Sequence, residues 1–350
     1  MAGYVFLPFP DKGPMVRREK RPFARHDRRV SGGYFGALRV VLEGRQALHV
    51  GSGFKTAVEG QVVRRTARAG DRPMIPGASF KGVIRSRFEA ITRSCAFELP
   101  SERARIVSQS NPDVHRGHFT LGVKRMPVFD DGCGREERMC AACALFGFQS
   151  REDTRRSRVS VTDFIGDEGS RCDIVGMPAQ YEPRLHHLGE FRVDRGGRDP
   201  EFEVSSLYGR KFYVDEGQFR SDGSGQGAPG GGGSGRGAPR GDGPPQWVEV
   251  APRGTRFYGE LHLFNVEATE LGGLLWALGI DPTSDLKVGA GKAHGFGRVA
   301  VDLGGSTLFD ERRRETELDR DRLREAFAAS ADYWDGGAKR LIEIYGGAGA

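Results

Sequence analysis

Three of the five cysteines fall within eleven residues, as Cys133-x6-Cys140-x2-Cys143. A CxxC turn aims two thiolates at one point, and a tetrahedral zinc site needs two more ligands. Cys133 supplies a third. Cys95 is the choice for the fourth, with His115 and His118 as alternatives, since all-thiolate and Cys3His sets are both ordinary. A redox-active CxxC is the competing reading, but the strand-CxxC-helix context that such a pair needs is missing. No open coordination position is suggested, so the expected role is structural. Cys172 is left over.

A second group is VGAGKAHGFGRVAV, residues Val288 to Val301, where Gly289, Gly291, Gly295 and Gly297 alternate with Lys292, His294, Phe296 and Arg298. Alternate glycines admit a close ligand, and cations with one aromatic ring suit phosphates and a stacked base. The segment precedes a strand and lacks the GxGxxG register of a dinucleotide site, and no Lys-Ser/Thr pair makes it a Walker loop. The third group is PMIPGASFKGVIRSR, Pro73 to Arg87. A Pro-Gly turn feeding a helix N-terminus offers free N–H groups to an anion. Lys81 and Arg85, four residues apart, share a helix face beyond Ser79. An ordinary helix with a solvated basic face, capped by Ser79, is the bland alternative.

These groups need elements to hold them. Tyr34 to Leu42 reads as an inner strand, apolar on both faces. Phe80, Val83, Ile84, Phe88 and Ile91 recur at helical spacing, predicting an amphipathic helix over Ser79–Cys95 that starts at a Ser79 cap. Val159–Ile165, Arg256–Val266 and Val299–Leu303 predict strands, and Thr269–Leu278 a short helix. Phe191–Val193 and Phe202–Val204 suggest a hairpin, and Glu317–Tyr345 a charged helix interrupted at Gly336-Gly337. After Leu48 to Gly53, LHVGSG, a polar, glycine-punctuated stretch runs to Pro73. Without insertions the order is strand, helix, strand, strand, helix, strand, the α+β ferredoxin-like βαββαβ pattern. Both helices would cover one face of the sheet, leaving the other free, a common platform for single-stranded RNA.

Composition narrows the classes. The 350 residues include 52 glycines and carry a formal net charge of +6. Eleven of the twenty-one residues from Gly223 to Gly243 are glycine, a run too poor in apolar side chains to order itself. The glycines have no triplet period, so collagen is excluded, and no apolar run reaches the ~18–20 residues that span a bilayer. The basic residues near the N-terminus follow an apolar piece broken by Pro8 and Pro10, the reverse of a secretory signal, so a cytoplasmic location with no membrane partner is expected. Seven Lys/Arg lie between Arg17 and Arg29, against Glu19 and Asp27, a density that makes nucleic acid the leading partner. A basic arm is therefore expected over 1–33, a palm with insertions over 34–303, and a helical extension over 304–350. The insertions are a zinc-binding insert at 96–158 and a flexible Gly-rich loop at 216–246.

IPGASFKGVIRS (Ile75 to Ser86), CAACALFGF (Cys140 to Phe148) and GAGKAHGFGRV (Gly289 to Val299), in that order, resemble the RAMP superfamily of CRISPR-associated proteins. The backbone subunits of type III effector complexes are the most similar members, over roughly Gly36 to Leu303. The resemblance implies an RNA-recognition-type palm that stacks along a guide RNA, with a thumb hairpin within 171–215 that kinks the RNA. It implies that Ser79, Lys81 and Arg85 hold guide phosphates beside the glycine-rich loop Gly289–Arg298. Partners would be the guide RNA, target RNA through it, and other effector subunits, in antiviral defence. Members that cut target RNA carry an aspartate between the first strand and the IPG motif. The matching position here is near Gln61, and only Glu59 and Asp71 are acidic nearby. An amide neither ionises nor holds a divalent metal as a carboxylate does, so a binding subunit without nuclease activity is expected. The alternative is a RAMP endoribonuclease. It would cleave target RNA through one of those acids, or process the guide precursor through His49 or His26.

Overall fold

The computed structural model describes residues 3–10, 18–19, 25–95, 104–105, 118–120, 133, 138–149, 154–178, 189–194, 201–214, 246–280 and 285–346. The chain starts with β1 (Tyr4–Leu7), β2 (Tyr34–Gly44), β3 (Gly51–Val58), β4 (Gln61–Thr66), β5 (Arg72–Ile75) and α1 (Gly77–Ala90). Then come α2 (Ala141–Phe146), β6 (Val159–Val161), β7 (Phe164–Gly166), β8 (Asp173–Met177), β9 (Gly189–Asp194), β10 (Glu201–Leu207) and β11 (Arg210–Tyr213). The remainder is β12 (Gln246–Val250), β13 (Arg256–Val266), α3 (Ala268–Ala277), β14 (Arg298–Phe309), α4 (Arg320–Ala328) and α5 (Asp335–Tyr345).

The central sheet runs β14-β2-β13-β7-β5, with β6 also on β13, and these neighbours are antiparallel. In chain order that is β2, α1, β6/β7, β13, α3, β14, with the fourth strand beside the first and the third between first and second. This is the ferredoxin-like arrangement. Alternation builds its core: Leu38, Val40 and Leu42 of β2 and Phe257, Leu261 and Leu263 of β13 are buried with Phe80, Ile84 and Phe88 of α1 and Leu271, Leu274 and Leu275 of α3. Burying each such side chain contributes about 1.5–3 kcal/mol. On the opposite face Arg39 and His262 are exposed and Tyr258 is 51% exposed. That face is open but mixed in charge, since Glu260 sits 3.8 Å from Arg39 and 3.4 Å from His262.

Four expectations shift. The end of LHVGSG and the polar stretch after Gly53 form the hairpin β3/β4, which joins β12 and β8 in a second sheet of order β8-β12-β4-β3. Its small core is Met177, Val248 and Val250, and the charged residues of β4 hid the strand. The N-terminal apolar piece is strand β1, paired with β11. Helix α1 starts at Gly77, two residues before Ser79, and its first residue is capped from outside: the Gly77 N–H donates to the Asp163 carboxylate at 2.8 Å. The C-terminal helix breaks between Ala328 and Asp335, not at Gly336-Gly337. Gly337 lies inside α5 because a Cβ there would meet the Ala90 carbonyl, so glycine lets α5 close on the end of α1. Within 171–215, β9 and β10 pair as the expected hairpin, while β8 and β11 leave for the second sheet and for β1. The Gly-rich run and the basic stretch up to Ala24 lie outside the described residues, apart from Arg18–Glu19, which pairs with Arg138–Met139. Among the described residues no helix is long and apolar enough to cross a membrane.

Candidate metal centre and nucleic-acid interface

Cys140 N-caps α2, its sulfur accepting from the Cys143 N–H at 3.4 Å, so the first turn of the helix sets the CxxC geometry. The Cys133 sulfur accepts from the Cys140 N–H at 3.2 Å. Cys95, five residues past the end of α1, completes the group, with its sulfur 3.5 Å from those of both Cys140 and Cys143. All four cysteines are buried and their sulfurs lie within 4.8 Å of one another. A tetrahedral ion with metal–sulfur bonds of ~2.3 Å places its ligands ~3.8 Å apart, so the group has the dimensions of an all-thiolate site. Within this group, hydrogen bonds from Cys133, Cys143 and Cys95 hold the Cys140 thiol well below the ordinary range, while Cys95 and Cys143 are pushed above it, so the four sulfurs share their protons unevenly. Of the two alternative ligands, His118 sits in the short strand His118–Thr120 and His115 lies outside the described residues.

Arginines fasten this centre to the palm. Arg85 donates to Glu89 Oε1 at 2.8 Å and to the Gly147 carbonyl at 2.9 Å, and its remaining nitrogen is 3.9 Å from the Cys143 sulfur. Arg210 of β11 donates to Glu89 Oε2 at 2.8 Å and to the Cys95 carbonyl at 3.0 Å. Arg158, fully buried, donates to the Ala144 carbonyl of α2 at 2.8 Å and is bidentate to Glu270 of α3. Arg85, read from the sequence as a phosphate clamp, is therefore turned toward the cysteine centre.

At the Pro-Gly turn, Asp163 already takes the first helical N–H, and the Ser79 N–H donates to the Pro76 carbonyl at 2.9 Å. The Ser79 side chain is exposed. Lys81 is half-buried and has no carboxylate partner among the described residues; burial, then the Arg85 charge, push its ammonium pKa down. In the glycine-rich loop the turn Lys292–His294 is flanked by Gly291 and Gly295, both left-handed. A Cβ at Gly289 would sit 2.3 Å from the His49 carbonyl, and one at Gly297 would sit 2.1 Å from the Val288 carbonyl. Internal packing thus demands both glycines. Gly82 and Gly295 have nothing within 4 Å of that position and can admit a close ligand. Lys292 is half-buried, its pKa lowered by burial and then by Lys287, and no carboxylate partner stands near it among the described residues. His294 is exposed, whereas Arg298 is paired with Asp285.

His49 is buried, with Nδ1 2.7 Å from the Glu249 carbonyl, and its own carbonyl accepts the Ala290 N–H at 2.9 Å. It anchors the glycine-rich loop. Glu59 sits exposed at the β3/β4 tip with φ 49°, beside exposed Gln61, and Asp71 is exposed in the turn before β5. His26 holds the Arg156 carbonyl at 3.0 Å and stacks on Phe264. Tyr4, Phe6, Lys211 and Tyr213 on the β1/β11 ribbon belong to none of the three motifs; the alternation in Tyr4-Val-Phe-Leu7 and Arg210-Lys-Phe-Tyr213 is the signal they leave in the sequence.

A family model for the RAMP superfamily matches residues 41–300. A search of curated proteins finds no match. Among solved structures, a chain of a Type IV-B CRISPR complex is similar, at 15% identity and a TM-score of 0.35, covering 85% of this chain and 100% of that one. The family match runs from the end of the first palm strand through the Pro-Gly turn and the cysteine centre to the glycine-rich loop, and by it the chain belongs to the RAMP superfamily.

Proposed function

We propose that this protein is a guide-RNA-binding backbone subunit of a type III CRISPR ribonucleoprotein effector, stabilised by structural zinc and without nuclease activity of its own. The observation that carries the reading is the pair of half-buried ammoniums, Lys81 beside the Pro-Gly turn and Lys292 in the glycine-rich loop, with no carboxylate partner among the described residues. Partly desolvated cations without counter-charges suit phosphates, and here they stand on the two motifs shared with the family. Cys95, Cys133, Cys140 and Cys143 would hold the zinc, which supplies cross-linking and no open position for chemistry. Target RNA would be reached through the guide, and neighbouring subunits along it.

The test is copurification of RNA with the full chain and titration of single-stranded RNA at several salt concentrations. The affinity should fall steeply with salt, and Lys81→Glu and Lys292→Glu should each weaken it. Retention unchanged in both variants would overturn the phosphate assignment. Target cleavage by the assembled complex that is lost in Glu59→Ala or Asp71→Ala would overturn the non-catalytic reading. Cleavage of repeat RNA in chelator would instead favour guide processing.

A further inference from the structure

In the β1/β11 ribbon Tyr4 lies opposite Tyr213 and Phe6 opposite Lys211, and cross-strand partners share a face. Leu7, Phe212 and Val214 are buried in the main core and Val5 packs against it. The other face therefore gathers three aromatic rings and an ammonium, all half-buried. The Tyr4 and Phe6 rings meet edge to face at 5.6 Å, and Tyr208 lies 5.6 Å from Phe6. Lys211 Nζ is 4.0 Å from the Tyr4 ring centre and 5.0 Å from that of Tyr213. Lys292 Nζ of the glycine-rich loop is 5.9 Å from the Tyr213 ring. Among the described residues neither ammonium has a carboxylate partner. The ribbon is continuous with the loop, since Gly3 packs between the Ala293 and Val214 carbonyls. It is also firmly seated: the Tyr345 hydroxyl donates to the Tyr213 carbonyl at 2.9 Å, and Arg210 reaches Glu89 and the Cys95 carbonyl.

Rigid aromatic rings bordered by cations without counter-ions are the makings of a stacking site for an unpaired base with its phosphates alongside. We propose that this ribbon face is a base-stacking platform for single-stranded guide RNA, with a base on Tyr4 and Tyr213 and the adjacent phosphates on Lys211 and Lys292. The inference rests on the RNA-binding reading above and adds to it a site outside the Pro-Gly turn. A phosphate would draw Lys211 off the Tyr4 ring and free its face for the base.

Photocrosslinking of the full chain to single-stranded RNA containing 5-iodouracil, with the adduct mapped by mass spectrometry, tests the placement without any substitution. Adducts are expected on Tyr4, Phe6 or Tyr213. The variant carrying both Tyr4→Leu and Tyr213→Leu should lose roughly tenfold in affinity for single-stranded RNA at an unchanged salt slope, and Tyr4→Phe should retain it. Lys211→Gln should instead reduce the slope by roughly 0.7. A chain that retains no RNA at all would overturn the RNA-binding reading itself. A chain that retains RNA but yields adducts only elsewhere, or whose folded double variant binds as the unsubstituted chain does, would overturn the platform alone. So would displacement of an acidic peptide from the ribbon with no RNA adduct there. Should the double variant not fold, the crosslink map decides.

Discussion

The cysteine centre and the lysine-bearing surface use positive charge in opposite ways. Around the cysteines, Arg85, Arg158 and Arg210 each spend the guanidinium on a carboxylate and at least one backbone carbonyl. On the surface, Lys81, Lys211 and Lys292 meet aromatic rings or other cations and no carboxylate among the described residues. A planar five-donor fork is suited to fixing a joint in several directions, and a compact ammonium on a flexible stem to meeting a mobile anion. Net charge therefore reports little here; what separates the two regions is whether a cation's partners are internal.

The largest test of that division is removal of the centre. Cys140→Ser, or exhaustive chelation, should abolish metal content of one ion per chain and cost a large part of the folding free energy, since structural zinc contributes on the order of 10 kcal/mol in small domains. The melting temperature should fall by more than about 10 °C. RNA binding should fall with it, because Arg210 ties the ribbon to the Cys95 carbonyl. A metal-free chain with unchanged melting would show that the four thiols pack without an ion.

Next in size is the buried pair of Arg158, just before β6, with Glu270 of α3. Glu270→Gln strips the counter-charge from Arg158, which is inaccessible to water, and should cost about 3–5 kcal/mol in urea unfolding. Combining Arg158→Met with Glu270→Leu should recover much of this, because neither charge is then left alone. Equal loss in the single and double variants would mean that the bonds to the Ala144 and Asn265 carbonyls, rather than the ion pair, hold the two parts together.

Much of the palm was legible in the sequence, because Leu38-x-Val40-x-Leu42 and the Phe80, Ile84, Phe88 series carry their periods within a single element. The cysteine grouping was legible too, Cys95 included, since thiols cluster for few reasons. What stayed hidden depended on partners distant in the chain. Nothing near Gly77 reveals that Asp163 will cap it, or that Glu89 and Gly147 will claim Arg85. Strand β4 reads as polar, and nothing near it shows that Glu249, 183 residues from Thr66, will accept the Thr66 N–H and pair with Arg65 and with Arg68 just beyond the strand. Strand β1 has only four residues and acquires its register from β11, more than two hundred residues away.

A smaller effect separates the lysines from one another. Lys292→Gln should leave melting nearly unchanged, or raise it, since a half-buried ammonium without a carboxylate partner among the described residues costs desolvation in the free protein. It should weaken single-stranded RNA binding about tenfold at low salt and less at high salt, by titration at two ionic strengths. The same substitution at Lys339, which pairs with Asp335 at 2.7 Å on the exposed face of α5, should change neither quantity measurably.

The smallest expected effect concerns the glycines. Gly82 is exposed on α1 next to Lys81, and a Cβ there meets nothing within 4 Å. Helix propensity alone makes Gly82→Ala stabilising by about 0.5–1 kcal/mol. If the helix face is where an RNA backbone comes close, the added methyl group should also weaken RNA binding a few-fold, so that stability and affinity move in opposite directions. A variant that melts higher and binds RNA equally well would assign Gly82 to chance and leave the surface function to the loop and the ribbon. Gly289→Ala is the counterpart: with φ +81° and the His49 carbonyl 2.3 Å from the new atom, its loss of binding should come only with loss of folding.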